Sequence, residues 1–137
     1  MLAEIQQSSD ITYRIYDYNR RDKDGKQREL HTELAKDAID YTAAKDCRLD
    51  VECDEKDITE LVSCDHFIVN KIKIKDQKFL NYSRDSFRII ICTEGQIDIT
   101  CEGNGIVLKA GFSALIPAYA CNFRLKGNGE ALICSAV

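Results

Sequence analysis

Hydrophobic and polar positions divide the first third of the chain into an extended segment, a turn and a helix. Residues 1–20 alternate in polarity and include β-branched and aromatic side chains, which favours a strand. Residues 21–26 are a charged turn that ends in Gly25, a residue able to take positive φ. Apolar residues then recur every three or four positions and predict a short amphipathic helix that begins at His31 or Thr32, with an apolar stripe of Leu30, Leu34, Ala38 and Tyr41.

From about residue 42 the pattern is continuously that of β-structure. Short apolar or alternating runs are separated by glycine turns about every eight to twelve residues, which is typical of a sandwich or barrel. Pro117, the only proline, is expected to close a strand. We predict strands at residues 67–74, 88–93, 96–101, 106–108, 112–116, 123–125 and 131–134. We predict turns at residues 94–95, 103–105, 109–111 and 127–129. The chain is therefore predicted to be all-β with one short helix.

Composition narrows the class of protein without identifying it. The chain has 137 residues, enough for one domain with its own core, and a net charge of −4 with no basic stripe. This balance disfavours nucleic acid and anionic membrane as partners. No apolar run is long enough to span a bilayer and the first residues carry no secretory signal, so we expect a cytoplasmic protein. The seven cysteines form no CxxC pair, which favours reduced, structural thiols.

The first strand is unusually polar for a core strand. Glu4, Gln6, Ser8 and Asp10 share one face of it. If that face lined a barrel interior, it would form a polar pocket suited to a hydroxylated, anionic ligand. The alternative is that these side chains only hold neighbouring backbone in place, and the sequence leaves both readings open.

The same segment resembles a known family. The run Glu-Ile-Gln-Gln-Ser-Ser-Asp-Ile-Thr-Tyr-Arg-Ile-Tyr-Asp at residues 4–17, with the later Leu30-His31, is similar to the "EIQQ-SD-TYR-YD" and "LH" signature of the short bacterial mannose-6-phosphate isomerases. The resemblance implies a cupin barrel that uses zinc to interconvert mannose 6-phosphate and fructose 6-phosphate. It also implies that Arg14, in the "TYR" element, is the catalytic arginine, whose guanidinium would stabilise charge on the enediol oxygens.

The chain departs from that family at the metal site. The resemblance implies zinc ligands (a glutamine, two histidines and a glutamate) that all lie upstream of residue 4, so no metal is expected in this chain. Residues 95–118 resemble the cupin strand pair in which a glycine turn precedes a strand that ends at Pro-Ala. Metal-binding cupins have histidines in and just after this region, and this sequence has none there. We therefore expect residues 1–41 to be the end of the catalytic barrel plus a bridging helix, and residues 42–137 to be a C-terminal cupin without metal. An expressed fragment and a truncated gene both remain open.

These observations predict that the chain is a C-terminal fragment of the isomerase. We expect an all-β fold whose N-terminal strands belong to a preceding barrel, and no enzymatic activity in the fragment alone. The rival function is a non-enzymatic cupin module that binds sugar or another protein. The roles of several polar residues stay open between ligand contact and a solvated or structural role: Glu4, Gln6, Ser9, Asp10, Arg20 and Arg28. His31 and His66 are interpreted as structural and surface residues. The acidic stretch at 50–57 lacks the glycine of a calcium loop. Exposed N-terminal strands are expected to pair in a homodimer.

Overall fold

The computed structural model describes residues 2–8, 11–42, 51 and 58–137. Its chain divides into two compact units, residues 8–48 and residues 1–7 with 49–137. The smaller unit contains the helix α1, Thr32–Ala38. In its described residues the larger unit contains seven strands: β1 Ile58–Ser63, β2 Phe67–Ile74, β3 Gln77–Asn81, β4 Arg88–Cys101, β5 Asn104–Lys109, β6 Ser113–Ile116 and β7 Asn122–Ala136. The predicted all-β class with one short helix is confirmed.

The N-terminal strand is not confirmed. The described residues 2–8 and 11–20 belong to no strand, and the nearest paired position is the single bridge between Arg21 and Gln27. A strand is defined by backbone pairing, and alternation of polarity alone does not supply a pairing partner. Ser9 and Asp10, which were predicted to share its polar face or line a pocket, lie outside the described residues.

The helix starts where predicted but is shorter and buries a different residue. His31 is the N-cap residue, and Ile39 takes an extended backbone conformation that ends the helix. Helix α1 therefore includes only Leu34 and Ala38 of the predicted stripe. Leu34 is exposed and Ala35 is the buried residue, so the predicted apolar face is wrong. The seven residues of α1 make about two helical turns, whereas the stripe from Leu30 to Tyr41 would need a little over three.

Two predicted turns are wrong because their glycines lie inside long strands. Strand β4 runs through Gly95, and β7 runs through Gly127 and Gly129. In the β4–β7 ladder Gly95 faces Gly129, next to a bulge between Cys92 and Glu94. A Cβ atom on any of the three glycines would collide with the opposite backbone. We call these three residues the glycine corner; they permit close approach of two strands and do not reverse the chain.

At the glycine corner the long pair of strands β4 and β7 passes from one half of the sheet to the other, and we call these halves the two leaves. On one side of it, β4 pairs with β6 and β7 pairs with β2, which in turn pairs with β1. On the other side, β4 pairs with β5 and β7 pairs with β3. Strands that change neighbours at a bulge are the way in which packed sheets share a corner. Both leaves can therefore close on a common core.

That core is aliphatic and alternates as the strand pattern requires. The largest fully buried side chains are Ile72, Ile74, Ile90, Ile97, Leu125 and Ile133. The five described cysteines are free, and burial raises the pKa of the Cys92 and Cys134 thiols. A buried thiol kept in its protonated form packs as a small apolar group. No helix among the described residues is long and apolar enough to span a membrane.

A candidate active-site arginine and its surroundings

The smaller unit holds Arg14 in an irregular hairpin. The turn at its tip follows the predicted positions: Gly25 has φ of +76°, and the Asp22 carboxylate accepts hydrogen bonds from the backbone N–H of Asp24 (2.9 Å) and Lys26 (2.8 Å). Carboxylates that bind backbone N–H groups two residues away are typical of such turns. The two arms of the hairpin therefore run back past each other from a well-fixed tip.

Arg14 and His31 meet across the open end of this hairpin. The backbone N–H of His31 donates to the Arg14 carbonyl oxygen at 2.7 Å. In return, the backbone N–H of Arg14 donates to Nδ1 of the His31 ring at 3.2 Å. Both polar groups of the Arg14 backbone thus have a partner on one residue, which fixes the direction in which its side chain leaves the chain.

The Arg14 guanidinium is anchored by a neutral group. Its Nη1 donates to the backbone carbonyl oxygen of Glu29 at 3.1 Å. Arg14 is half-buried, and among the described residues it forms no ion pair. A guanidinium has five N–H donors, so this contact orients the group and leaves most of its donors and its whole charge available for an anion.

The neighbouring arginines are engaged differently. Arg28 forms a bidentate ion pair with Asp17, with Nε–Oδ2 and Nη2–Oδ1 distances of 2.9 Å each. The Asp17 side chain is only 12% exposed, so this pair is well placed to stabilise the hairpin. Arg20 lies over the Tyr18 ring, 5.5 Å from its centroid. Arg21, at the tip, donates its Nη1 to the Gly25 carbonyl oxygen at 2.7 Å. Arg14 and Arg21 are therefore the two arginines of this hairpin with neither a carboxylate nor an aromatic ring against them among the described residues, and of the two only Arg14 lies in the segment that resembles the family signature.

Three other predicted candidates, Glu4, Gln6 and His66, do not lie in this unit. Glu4 and Gln6 are exposed and belong with the larger unit. His66 is also in the larger unit, where its backbone carbonyl accepts from Val137. The roles predicted for Glu4 and Gln6 stay predictions. The acidic stretch at 50–57 lies outside the described residues except for Val51.

A metal centre is not assembled from the described part of the chain. Within it, no three His, Cys, Asp or Glu side chains are grouped so as to hold a metal ion. The Nδ1 atom of His31 already accepts a hydrogen bond from Arg14. These residues therefore do not fit a catalytic zinc, which takes three protein ligands.

One of the shallow cavities of the sheet unit, of about 210 Å³, lies beside the β4–β5 turn. Apolar side chains make up most of its wall, including Ile99, Ile116 and Pro117. Cys101 also lines it and donates its S–H to the Asn122 carbonyl oxygen at 3.3 Å. The wall also contains the Glu102 carboxylate and the Tyr119 phenol, but no lysine, arginine or histidine is among the described residues that form it, so it offers no positive charge to a phosphosugar.

Sequence reasoning missed two features of the hairpin: the Asp17–Arg28 ion pair and the Glu29 carbonyl that anchors Arg14. The sequence carried no signal for the ion pair. The register of the tip bridge between Arg21 and Gln27 would place Asp17 opposite His31, three residues from Arg28. The positive φ values of Tyr18 and Asn19 mark the irregular stretch between the two registers. The carbonyl contact carries no sequence signal, because every residue has a carbonyl.

The two-leaved sheet with its shared glycine corner is a cupin fold. The solved structure of a cupin-2 domain protein from Shewanella frigidimarina superposes on it with a TM-score of 0.51 at 17% identity, covering 61% of this chain and 81% of that one. The model of the cupin domain of mannose-6-phosphate isomerase matches residues 57–136. The chain belongs to this family, as the signature around Arg14 predicted.

Two relatives match almost the whole chain. Mannose-6-phosphate isomerase ManA of Bacillus subtilis is 30% identical over 135 residues, which cover 97% of this chain and 42% of the relative. The crystal structure of the Bacillus subtilis mannose 6-phosphate isomerase gives a TM-score of 0.63 at 28% identity, over 93% of this chain and 41% of that one. The chain thus spans less than half the length of these relatives.

Proposed function

We propose that this chain is the C-terminal part of a zinc-dependent mannose-6-phosphate isomerase and that it supplies the catalytic arginine, Arg14. The observation that carries the proposal is an oriented guanidinium with no carboxylate partner among the described residues, in the segment that resembles the family signature. The match to the Bacillus subtilis relative over 97% of the chain supports the same assignment.

The arginine would act by electrostatics. Isomerisation between an aldose and a ketose passes through an enediol, with negative charge developing on O1 and O2 of the sugar. A guanidinium already held in place can donate two N–H groups to these oxygens without reorganising during the reaction. The Glu29 carbonyl fixes one N–H of Arg14 and so sets the plane of the donors that remain.

The chain on its own is expected to be inactive. The resemblance implies zinc ligands upstream of residue 4, and the described residues do not assemble a substitute set. Arg14 stabilises charge but does not shuttle protons between the two sugar carbons, because arginine stays protonated at neutral pH.

A coupled assay of two proteins tests the assignment. The first is the chain alone; the second is a chimera in which the chain replaces the matching 42% of the Bacillus subtilis relative. We expect isomerisation of mannose 6-phosphate by the folded, zinc-loaded chimera and none by the chain alone. Turnover by the chain alone would contradict the inactivity, and a folded, zinc-loaded chimera without turnover would contradict the assignment.

The second candidate is a cupin module for binding sugar or protein. It is favoured by the strand unit, which has an aliphatic core of its own. Calorimetric titration of the chain alone with mannose 6-phosphate distinguishes the two. Saturable binding by the chain together with an inactive chimera would favour the module.

A further inference from the structure

His31 makes three hydrogen bonds, and only one of them is usual for a residue at the start of a helix. Its carbonyl oxygen accepts the first helical hydrogen bond, from Ala35 at 2.9 Å. Its backbone N–H donates to Arg14. Its side chain makes no capping hydrogen bond to the helix, although the N-cap position usually uses the side chain in this way. The ring accepts from the Arg14 N–H instead.

This hydrogen bond defines the protonation state of the ring. A backbone N–H can only donate, so Nδ1 of His31 must be an acceptor and carry no proton. The neutral ring then holds its proton on Nε2. A ring protonated on both nitrogens, or on Nδ1 alone, would set two donors against each other and break the contact.

We propose that His31 is a positioning residue for Arg14, acting as a neutral acceptor that couples the arginine backbone to helix α1. The proposal rests on the proposed function of Arg14, since its position matters only if its guanidinium stabilises charge on the substrate. The chain of contacts is continuous: helix α1 holds the His31 backbone, His31 holds both backbone polar groups of Arg14, and Glu29 holds the guanidinium. Rigid supporting contacts of this kind determine how well a catalytic group is aimed.

Nuclear magnetic resonance on the whole chain tests this without any assay of catalysis. The chain has two histidines, and His66→Asn removes one ring signal to leave that of His31. We expect the long-range ¹H–¹⁵N pattern of a neutral ring protonated on Nε2 at slightly alkaline pH. A ring protonated on Nδ1 would overturn the proposal, because that nitrogen could not accept.

Variants then separate positioning from general stability. Asn can offer its Oδ1 near the position of Nδ1, so His31→Asn should keep the backbone order parameter of Arg14 near about 0.85, whereas His31→Ala should lower it below about 0.6. The hairpin tip at Asp22 serves as the internal control and should not change. An unchanged Arg14 in His31→Ala, no rescue by His31→Asn, or equal loss of order at Asp22 would each contradict positioning.

The result is separable from the proposed function. The order parameters report only on the contact between His31 and Arg14, whereas the isomerase assay of the chimera reports on the reaction. If the contact between His31 and Arg14 is intact but the chimera is inactive, the contact has no role in catalysis. That result would contradict both the positioning proposal and the proposed function. An active chimera in which His31→Ala changes neither measurement would sink the positioning proposal alone.

Discussion

Three alanine substitutions separate the two reasons for which this fold needs glycine. Gly103 has φ of +82° and open space around it, so Gly103→Ala tests backbone conformation alone. Gly129 has an ordinary φ, but its added Cβ would collide with the Glu94 carbonyl oxygen, so Gly129→Ala tests close approach alone. Gly95 combines φ of +72° with a collision against the Asn128 carbonyl oxygen. The three substitutions lie in one unit and add the same single methyl group.

The expected costs follow from these environments. An alanine forced into the left-handed region costs about 1–2 kcal/mol, which is the whole effect expected at Gly103. Inserting a methyl group against a packed backbone costs about 1–3 kcal/mol, the effect expected at Gly129. Gly95→Ala meets both and should cost about 2–5 kcal/mol, a large share of the roughly 5–15 kcal/mol that stabilises a typical domain.

Urea unfolding followed by far-ultraviolet circular dichroism gives the three free energies of unfolding. The predicted order of destabilisation is Gly95→Ala largest, with Gly103→Ala and Gly129→Ala each smaller. A Gly95→Ala protein no less stable than Gly103→Ala would contradict the interpretation of the glycine corner. It would mean that the β4–β7 pair opens to admit a methyl group and that the bend does not depend on close approach.

Three further outcomes are expected. Ile97→Ala, in the core, should lower the free energy of unfolding by about 2–5 kcal/mol, whereas Phe79→Ala, 73% exposed, should change it by less than about 0.5 kcal/mol; equal costs would contradict the assigned core. Lys71 hydrogen-bonds Glu130 and holds the pKa of that carboxyl below its ordinary 4.5. Because the pKa of Glu130 is lower in the folded protein than in the unfolded chain, its charge stabilises the fold above the unfolded pKa, and this stability is lost as the pH falls through the folded pKa. Glu130→Gln should therefore flatten the fall in Tm between about pH 6 and pH 3. A variant whose Tm falls as steeply as that of the parent would contradict this role of Glu130. If residues 1–20 pair between copies, light scattering should give a dimer that becomes a monomer when they are deleted, and a monomeric intact chain would refute this.

Five of the seven strands, β2 and β4 to β7, were predicted from the sequence, whereas β1 and β3 were missed. The alternation at residues 67–74 predicts β2 with its observed bounds, and Pro117 follows the last residue of β6 as expected. The long strands were predicted as two pieces each, because glycine is favoured both in turns and where two backbones approach closely. Only the identity of the facing strand distinguishes these cases, and that pairing is non-local.

The candidate site was predicted from the sequence only as Arg14, which the signature singles out and whose role stays a prediction. The hairpin tip was predicted from Gly25. The partner of its guanidinium is a backbone carbonyl, and the ring of His31 binds a backbone N–H; neither contact leaves a pattern in side-chain types. His31 was therefore interpreted as structural, an assignment that describes its contacts but not their consequence for Arg14.

The most direct test of the account is kcat for Arg14 variants of the zinc-loaded chimera. Removing a preorganised donor to a developing oxyanion costs about 10²–10³ in kcat, so Arg14→Ala should lose that much, and Arg14→Lys should recover only part of it. Arg20→Ala, which removes a charge from the same hairpin, should stay within about twofold of the parent. A fully active Arg14→Ala chimera that still binds zinc would contradict the assignment of Arg14 as the charge-stabilising group.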